Sequence, residues 1–305
     1  MYDVAIIGGG PGGLSAGIYA ARANLKTVII ERGLYGGQMQ NTLDIENYPG
    51  FDNIEGPELS EHMYNQAMKL GVEWKYGDVT SVKLEGQPKV LTFGEESLEA
   101  KSIIIASGAT PRPLGVPGEA EFTGRGVSYC ATCDGALYRG ADVAVVGGGD
   151  SAIKEALLLT RYASTVTVIH RRDALRAAGI LRDRALANPK IRFKWDSVVE
   201  RVEGDARVGG VLIRNVKDNS NEVLAVKGVF IYIGVDPVTD FLEGSGILDE
   251  DGYIPTGHDM ATSIPGVFAA GDVRATSIRQ IISAASEGAT AALHAYDYVE
   301  SLPTV

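Results

Sequence analysis

The two cysteines of the chain, Cys130 and Cys133, are separated by two residues and followed directly by Asp134. A Cys-x-x-Cys pair of this spacing is typical of a small redox disulfide. The adjacent carboxylate is suited to carry a proton to or from a thiolate. It is equally suited to cap a helix that begins there, and the sequence leaves both roles of Asp134 open because they are compatible.

A structural zinc site is the alternative use of such a cysteine pair. Zinc would need two further ligands, and the chain has no third cysteine. The histidines are far from the pair in sequence and none has a paired spacing: His62, His170, His258 and His294. The pattern favours redox chemistry, and we predict catalytic roles for Cys130, Cys133 and Asp134 without a metal.

A glycine-rich pattern that begins at Asp3 is repeated from Asp142, a shift of 139 residues. The first copy reads Asp-Val-Ala-Ile-Ile-Gly-Gly-Gly-Pro-Gly-Gly and the second reads Asp-Val-Ala-Val-Val-Gly-Gly-Gly-Asp-Ser-Ala. Each copy continues through a helical stretch to a second apolar run, at residues 27–30 and 166–169. The matching distances indicate two dinucleotide-binding βαβ units, and a duplicated fold that has lost its ligands is the alternative.

The glycine positions predict how each copy would hold a pyrophosphate. The first permits a tight turn, the second lets the backbone approach the phosphates, and the third brings helix and strand together. The N–H groups at the helix N-terminus add partial positive charge. The predicted phosphate-binding residues are Gly8, Gly10, Pro11 and Gly13 in the first copy, and Gly147, Gly149, Asp150, Ser151 and Ala152 in the second.

Glu31 follows the second apolar run of the first copy, where dinucleotide folds contact the adenosine ribose. A carboxylate at this position accepts hydrogen bonds from free ribose hydroxyls and repels a 2′-phosphate. The first copy is therefore predicted to bind FAD or NAD(H) rather than NADP(H).

The equivalent position of the second copy is His170, and Arg171, Arg172 and Arg176 follow it. Guanidinium groups bind a 2′-phosphate through paired hydrogen bonds. A solvated basic start of a helix is the alternative interpretation. We predict that these four residues bind NADPH.

The remaining sequence indicates two domains, the second inserted into the first. A strand at residues 103–106 meets a Pro-rich joint from Thr110 to Pro117, and another strand spans residues 229–233. A third strand near residues 266–270 leads to a helix from about Arg279, whose N-terminus could stabilise negative charge on a flavin ring. The predicted domains are residues 1–111 and 239–305 for FAD, and 112–238 for NADPH. Buried positions expected in the last helix are Ile281, Ala285, Ala292 and Tyr296.

Composition excludes several classes of partner. The net charge of −11 argues against nucleic acid or an anionic membrane, both of which need a basic surface. No apolar run approaches the length of a membrane span, and no signal stretch opens the chain. With only two cysteines, a secreted disulfide scaffold is not expected, and we predict a cytoplasmic protein.

Taken together and in this order, the motifs resemble the low-molecular-weight, bacterial-type thioredoxin reductases over nearly the whole chain. The resemblance adds Gly36-Gly37-Gln38 and the pairs Gly271-Asp272 and Arg279-Gln280 to the motifs above. It implies an α/β fold with two Rossmann-like domains, as in class II pyridine nucleotide-disulfide oxidoreductases, and a homodimer. Residues that it assigns to FAD are Gly37, Gln38, Asn47, Asp272, Arg279 and Gln280, and Gly234 is added for NADPH.

The resemblance also implies the roles of the catalytic residues. Cys133 would lie beside the flavin, Cys130 would exchange with the disulfide of thioredoxin or a thioredoxin-like protein, and Asp134 would be the acid–base residue. Electrons would pass from NADPH through FAD to the disulfide, with a rotation between the two domains. Two rivals are a ferredoxin or flavodoxin reductase, which lacks the cysteine pair, and a redox sensor without turnover, for which no output domain is evident.

Overall fold

The computed structural model describes residues 1–42 and 45–303. The chain forms two compact units, one from residues 1–110 and 236–305 and the other from residues 111–235. The unit boundaries thus fall after Thr110 and Val235, whereas the sequence placed them after residues 111 and 238. The second unit is an insertion in the first.

The first unit begins with a βαβ segment and ends with a long helix. Its elements before the insertion are β1 (Tyr2–Ile7), α1 (Pro11–Arg22), β2 (Thr27–Glu31), α2 (Gly56–Lys69), β3 (Glu73–Tyr76), β4 (Val79–Lys83), β5 (Lys89–Phe93), β6 (Glu96–Ile105) and β7 (Ala109–Pro111). After the insertion come β16 (Val235–Pro237), β17 (Val267–Ala269) and α7 (Ile281–Ser301).

The sheet of the first unit has the strand order β3-β2-β1-β6-β5-β4, and β17 also pairs with β6. Strands β3, β2, β1, β6 and β17 run parallel, and β4 and β5 add an antiparallel hairpin. Residues 4–7 and 103–105 are buried because both faces of the sheet are covered, as is usual for parallel sheets. The carboxyl ends of β1, β2 and β17 therefore lead into the turns that carry the predicted FAD-site residues.

The second unit repeats this plan with a smaller sheet. Its elements are α3 (Glu119–Phe122), β8 (Val127–Ser128), α4 (Ala131–Asp134), β9 (Asp142–Val146), α5 (Asp150–Leu159), β10 (Thr165–Ile169), α6 (Gly179–Ala187), β11 (Ile191–Lys194), β12 (Ser197–Gly204), β13 (Val208–Asn215), β14 (Asn221–Leu224) and β15 (Gly228–Ile231).

The parallel sheet of the second unit has the order β11-β10-β9-β15-β8. Helices α5 and α6 pack on one face, and the antiparallel sheet β12-β13-β14 packs on the other. The short strand β8 leads directly into the Cys-x-x-Cys segment. This topology places the cysteine pair and the second glycine-rich turn at the same edge of the sheet, because β8 and β9 flank β15 and all three run parallel.

The segments that join the units, β7 and β16, pair as a two-stranded sheet. Within the described residues, no helix combines the length and the apolar character needed to cross a membrane. Nor do residues 1–42 and 45–303 bring together three or more His, Cys, Asp or Glu side chains in an arrangement that could hold a metal ion.

Candidate nucleotide and disulfide sites

The glycine-rich turn of the first unit depends on two close backbone contacts. Gly8 has a φ of +101°, and a Cβ there would lie 2.3 Å from the carbonyl oxygen of Ala106. A Cβ at Gly13 would lie 1.9 Å from the carbonyl oxygen of Gly8. Only glycine fits these positions, which explains the first and third glycines of the motif.

Gly10, the second glycine of the motif, faces open space, and an added Cβ would meet no atom within 4 Å. It precedes Pro11, the first residue of α1. The next loop brings Gly37 close to Gly10, because a Cβ built on Gly37 would lie 3.3 Å from the Cα of Gly10. Gln38 follows Gly37 and is exposed. The bare backbone at Gly10 and the helix N-terminus fit a pyrophosphate.

Glu31 lies at the end of β2, directly beside the glycine-rich turn. Its carboxylate accepts hydrogen bonds from the backbone N–H of Gly9 at 2.6 Å and of Gly33 at 2.7 Å. Each oxygen keeps a lone pair for a further donor, so the arrangement fits a ribose with free hydroxyls. Gly9, which the sequence analysis did not single out, has no room for a side chain because Trp74 and Glu31 lie against it.

Asp272 follows β17 and is half-buried. Burial raises the pKa of its carboxyl group, and the hydroxyl of Ser277 at 3.0 Å together with the charge of Arg279 opposes the rise. The preceding residue, Gly271, has a φ of +77° and donates its N–H to Glu287 at 2.7 Å. A half-buried carboxylate that accepts a hydrogen bond from the Ser277 hydroxyl fits a polar ligand chain such as ribityl.

A buried ion pair stabilises the turn that carries Asp272. Arg274 and Glu287 lie 2.5 Å apart with both side chains largely excluded from solvent. Burial raises the pKa of Glu287, while the Gly271 N–H and Arg274 oppose the rise. No local sequence pattern predicts either residue, because Glu287 lies on α7 and Arg274 in the preceding loop.

Asn47, Arg279 and Gln280 meet at the start of α7. Asn47 donates its amide to the side-chain oxygen of Gln280 at 3.1 Å. Gln280 is the N-cap of α7 and forms a capping box with Ser283. Arg279 has a φ of +59° and donates to the hydroxyl of Tyr253 at 3.0 Å. These polar groups thus organise the helix N-terminus that the sequence assigned to the flavin.

The glycine-rich turn of the second unit has the same geometry. Gly147 has a φ of +144°, and a Cβ there would lie 2.4 Å from the carbonyl oxygen of Tyr232. Gly149 faces open space and is the N-cap of α5. Ala152 is accommodated where the first unit has Gly13, and its Cβ fills the gap beside Gly147. The exposed Ser151 lies in the first turn of the helix.

His170 is buried rather than presented to solvent. A Cβ on Gly148 would lie 2.4 Å from its ring, so the imidazole takes the place that Glu31 has beside Gly9. Burial and the nearby Arg176 lower the pKa of His170, so the ring is held neutral at pH 7. Its Nε2 is buried and makes no hydrogen bond to any described residue.

Arg171, Arg172 and Arg176 are exposed, and none of these three forms an ion pair with a carboxylate of the described chain. Their segment is held against the turn because Arg176 donates its N–H to the carbonyl of Gly148 at 2.8 Å. Asp150 supports the same segment by accepting the N–H of Ala178 at 2.7 Å. A cluster of uncompensated guanidinium groups beside a phosphate-binding turn fits a 2′-phosphate.

The cysteine pair forms a disulfide at the N-terminus of the short helix α4. The Cys133 N–H donates to the Sγ of Cys130 at 3.2 Å, and both residues are half-buried. With both sulfurs joined in this bond, neither is present as the thiolate that a zinc site needs. Asp134 precedes the 3₁₀ turn 135–138 without a side-chain capping hydrogen bond, so the capping role left open for it was wrong.

Gly234, assigned to NADPH from the resemblance, lies between β15 and β16. Its φ is +144°, and its carbonyl accepts the N–H of Arg112 at 3.0 Å. A Cβ there would lie 2.8 Å from the side chain of Arg112. The residue therefore determines the path of the chain between β15 and β16. It is distant in sequence from Arg171, Arg172 and Arg176.

The family model described as pyridine nucleotide-disulphide oxidoreductase matches residues 2–288. The chain belongs to this family. It is 50% identical to the thioredoxin reductase of Listeria monocytogenes over 303 residues, which cover 99% of this chain and 95% of that protein. It is 49% identical to the thioredoxin reductase of Bacillus subtilis, with 99% and 96% covered. The crystal structure of thioredoxin reductase from Streptococcus pyogenes aligns with a TM-score of 0.96 at 53% identity, covering 99% of both chains.

These likenesses confirm the resemblance to bacterial-type thioredoxin reductases and the fold class of two Rossmann-like domains. They establish the chain as an oxidoreductase of a family that pairs nicotinamide nucleotides with disulfides. The disulfide between Cys130 and Cys133 supplies the redox group that such an enzyme needs.

Proposed function

We propose that this oxidoreductase is an NADPH-dependent thioredoxin-disulfide reductase that uses FAD. The observation that carries the proposal is the disulfide between Cys130 and Cys133. It lies in the second unit, whose glycine-rich turn adjoins three exposed arginines. A ferredoxin or flavodoxin reductase would not need the disulfide, and a sensor would not need turnover.

The first unit holds FAD in this proposal. Its residues for the pyrophosphate and ribose are Gly8, Gly10, Pro11, Gly13 and Glu31, and those for the flavin half are Gly37, Gln38, Asn47, Asp272, Arg279 and Gln280. When bound, FAD supplies the relay through which a hydride equivalent reaches a disulfide. The half-buried Asp272, whose pKa is raised, and the bare backbone at Gly10 support this assignment.

The second unit holds NADPH. Gly147, Gly149 and the first turn of α5, with Asp150, Ser151 and Ala152, face the pyrophosphate, and Gly234 completes the site. Arg171, Arg172 and Arg176 bind the 2′-phosphate, and the neutral ring of His170 supports the turn. The lack of carboxylate partners for these arginines in the described chain supports NADPH over NADH.

The cysteines perform the exchange with the protein substrate. In the reduced enzyme the Cys130 thiolate attacks a sulfur of the substrate disulfide, which forms a mixed disulfide and releases one substrate thiolate. The Cys133 thiolate then attacks Cys130, re-forms the Cys130–Cys133 bond and releases the second substrate thiolate. Asp134 gives and takes the protons that these thiolates exchange.

Anaerobic titration with NADPH, followed by addition of oxidised thioredoxin, tests the proposal. We expect purified protein to be yellow, to bleach with NADPH and to regain its colour as thioredoxin is reduced. Colourless protein that cannot be reconstituted with FAD would contradict the cofactor assignment.

The variant Cys133→Ser separates the cofactor steps from disulfide exchange. We expect it to be bleached by NADPH at close to the wild-type extent, because the nucleotide sites are intact, and to lose thioredoxin reduction by more than 100-fold, on the order expected when an essential covalent group is removed. Ser220→Ala, at an exposed position between β13 and β14 of the same unit, serves as a variant that keeps the cysteine pair and the nucleotide site. Substantial thioredoxin reduction by Cys133→Ser would remove the disulfide from the mechanism.

The assembly that accompanies this proposal is a homodimer located in the cytoplasm. Light scattering of the purified holoenzyme is expected to give twice the mass of one chain at micromolar concentration. A mass of one chain under those conditions would contradict the dimer, and fractionation of cells of the source organism tests the location.

A further inference from the structure

Tyr232 connects the second glycine-rich turn to the redox disulfide. Its backbone follows β15 and is fixed beside the turn, because its N–H donates to the carbonyl of Val146 at 2.8 Å. Its carbonyl oxygen lies against Gly147, where an added Cβ would come within 2.4 Å. The position of this residue is therefore set by the nucleotide-binding turn.

The side chain of Tyr232 points from this position to the cysteine pair. Its hydroxyl accepts a hydrogen bond at 2.5 Å from the backbone N–H of Ala131, the residue that follows Cys130. Ala131 is 1% exposed, so water does not replace a lost acceptor there. A buried N–H that has lost its acceptor is unfavourable, which makes this contact significant for the conformation of the turn.

Glu155 provides a second link between the nucleotide-binding helix and the same turn. It lies on α5 near Thr132, the other residue between the cysteines, and Thr132 opposes the rise in the pKa of its carboxyl group that burial causes. The second carboxyl oxygen is buried and makes no hydrogen bond to any described residue. Burial, Glu155 and Asp134 all raise the pKa of Tyr232, so its hydroxyl stays protonated and neutral.

We propose that Tyr232 is a positioning residue for the redox disulfide. Its hydroxyl holds the first peptide of the Cys-x-x-Cys turn in the disulfide form and thereby favours the disulfide over the dithiol. The inference rests on the redox role proposed above for Cys130 and Cys133. It concerns the equilibrium of the pair and adds no step to the reaction.

The physical basis is the difference between the two states of the turn. In the disulfide form the covalent bond and the Tyr232 hydrogen bond restrain the same short segment, from Cys130 to Cys133. Reduction separates the sulfurs to non-bonded distance and frees the segment to shift. A contact that is made fully only in the restrained form stabilises that form, and its removal favours the dithiol.

The test is the equilibrium between disulfide and dithiol in Tyr232→Phe, which removes one oxygen and keeps the ring. The holoenzyme is equilibrated anaerobically with reduced and oxidised dithiothreitol, and the dithiol fraction is measured by alkylation and mass spectrometry. We expect the equilibrium constant to move toward the dithiol by threefold to tenfold, where tenfold corresponds to about 30 mV for this two-electron couple.

Tyr138→Phe is the matched control. Tyr138 is another partly buried tyrosine of the same unit, close to Asp134, and its hydroxyl makes no hydrogen bond to any residue that the structure describes. Its equilibrium constant is expected to stay within twofold of the wild-type value. A Tyr232→Phe constant within twofold of wild type, or an equal shift in both variants, would overturn the proposal.

Hydrogen exchange in the wild-type protein gives an independent measurement. The Ala131 N–H is expected to exchange more slowly in the disulfide form than after reduction, and equal rates in the two forms would also overturn the proposal. Neither experiment requires NADPH turnover or thioredoxin. Failure of the proposed function would instead appear in the wild-type thioredoxin assay, so the two outcomes are distinguishable.

Discussion

At the scale of single residues, the two glycine-rich turns differ in the charges that lie around the end of the second strand. Glu31 has its carboxylate against Gly9, whereas the second unit places the neutral ring of His170 against Gly148 and exposes arginines beyond it. A carboxylate repels a 2′-phosphate and a guanidinium binds it. The nucleotide preference of each unit therefore depends on a few charges at one strand end.

Replacing Arg171, Arg172 and Arg176 together by Gln tests this preference. Each charged hydrogen bond contributes about 1.5–3 kcal/mol, reduced by exposure to solvent, so we expect the KM for NADPH to rise on the order of 100-fold. The KM for NADH should change by less than about threefold, because NADH lacks the 2′-phosphate. Steady-state kinetics with both nucleotides provide the measurement, and an equal loss with both would argue against a phosphate site.

Glu155 makes a second prediction at this scale, concerning pH. Burial raises the pKa of its carboxyl group above the ordinary value of 4.5, so the folded protein binds this proton more tightly than the unfolded chain. The resulting stabilisation is complete below pH 4.5 and is lost as the pH rises toward the folded pKa. We expect the unfolding free energy of wild type relative to Glu155→Gln to fall between pH 4.5 and 7.

Denaturant unfolding of the two proteins across that pH range measures the difference. Glu222→Gln is the control, because Glu222 lies at the surface, where it pairs with Lys194. Its stability relative to wild type is expected to vary little over the same range. A pH-independent difference between wild type and Glu155→Gln would show that this carboxyl group does not titrate as described.

The sequence predicted the residues of the glycine-rich turns because their constraints are local. Gly8 and Gly147 need a positive φ within a strand–turn–helix segment, and that requirement appears directly in the spacing of glycines. The Arg274–Glu287 pair and Tyr232 could not be predicted in this way. These residues meet their partners because the fold brings together segments that are distant in sequence. The local pattern around a Glu or a Tyr does not indicate which residue it will contact.

At the scale of elements, the first unit depends on close packing of α1 against α7. A Cβ on Gly288 would lie 2.0 Å from the carbonyl oxygen of Gly12, in the first turn of α1. The neighbouring buried positions of α7 are mostly alanines, which permit this short distance between the helices. The packing therefore positions the helix N-terminus that follows Gly10.

Gly288→Ala should destabilise this packing. Alanine is favoured over glycine inside a helix by up to about 1 kcal/mol. The contact with a backbone oxygen forces the helices apart, and we expect that cost to dominate and leave a net loss of about 1–3 kcal/mol. Urea unfolding gives the measurement, and Ser286→Ala on the exposed side of α7 is the control, expected within about 0.5 kcal/mol of wild type. A stabilised Gly288→Ala protein would contradict the packing.

The sequence predicted the parallel strands and the last helix more closely than the antiparallel elements. Residues 27–31 and 165–169 form strands as their apolar runs indicate, and α7 begins at Ile281, two residues after the expected start. Of the four positions expected to be buried in α7, Ala285 and Ala292 are buried, while Ile281 and Tyr296 are partly buried. The sheet β12-β13-β14 was not predicted, because its solvent-facing polar residues lack a distinctive local motif.

At the scale of the whole molecule, the second unit is a continuous segment with its own sheet and two apolar clusters. We expect a fragment of residues 111–235 to fold alone, since its core needs no residue from the first unit. Circular dichroism should show a cooperative thermal transition, and the fragment should bind NADP⁺ in calorimetry. The same fragment with the three arginines changed to Gln is the control, expected to fold and to bind weakly. An unfolded fragment would contradict the independence of this unit.

The first unit, by contrast, is assembled from both ends of the chain. Strand β17 pairs with β6 and α7 packs against α1, so the sheet and its covering helix lack essential parts until the last residues are available. During synthesis on the ribosome, the whole inserted unit emerges before strand β17 of the first unit has been made. Nascent chains should therefore acquire protease resistance in the middle before they acquire it at the amino terminus, an order of maturation opposite to the usual progression from the first residue to the last.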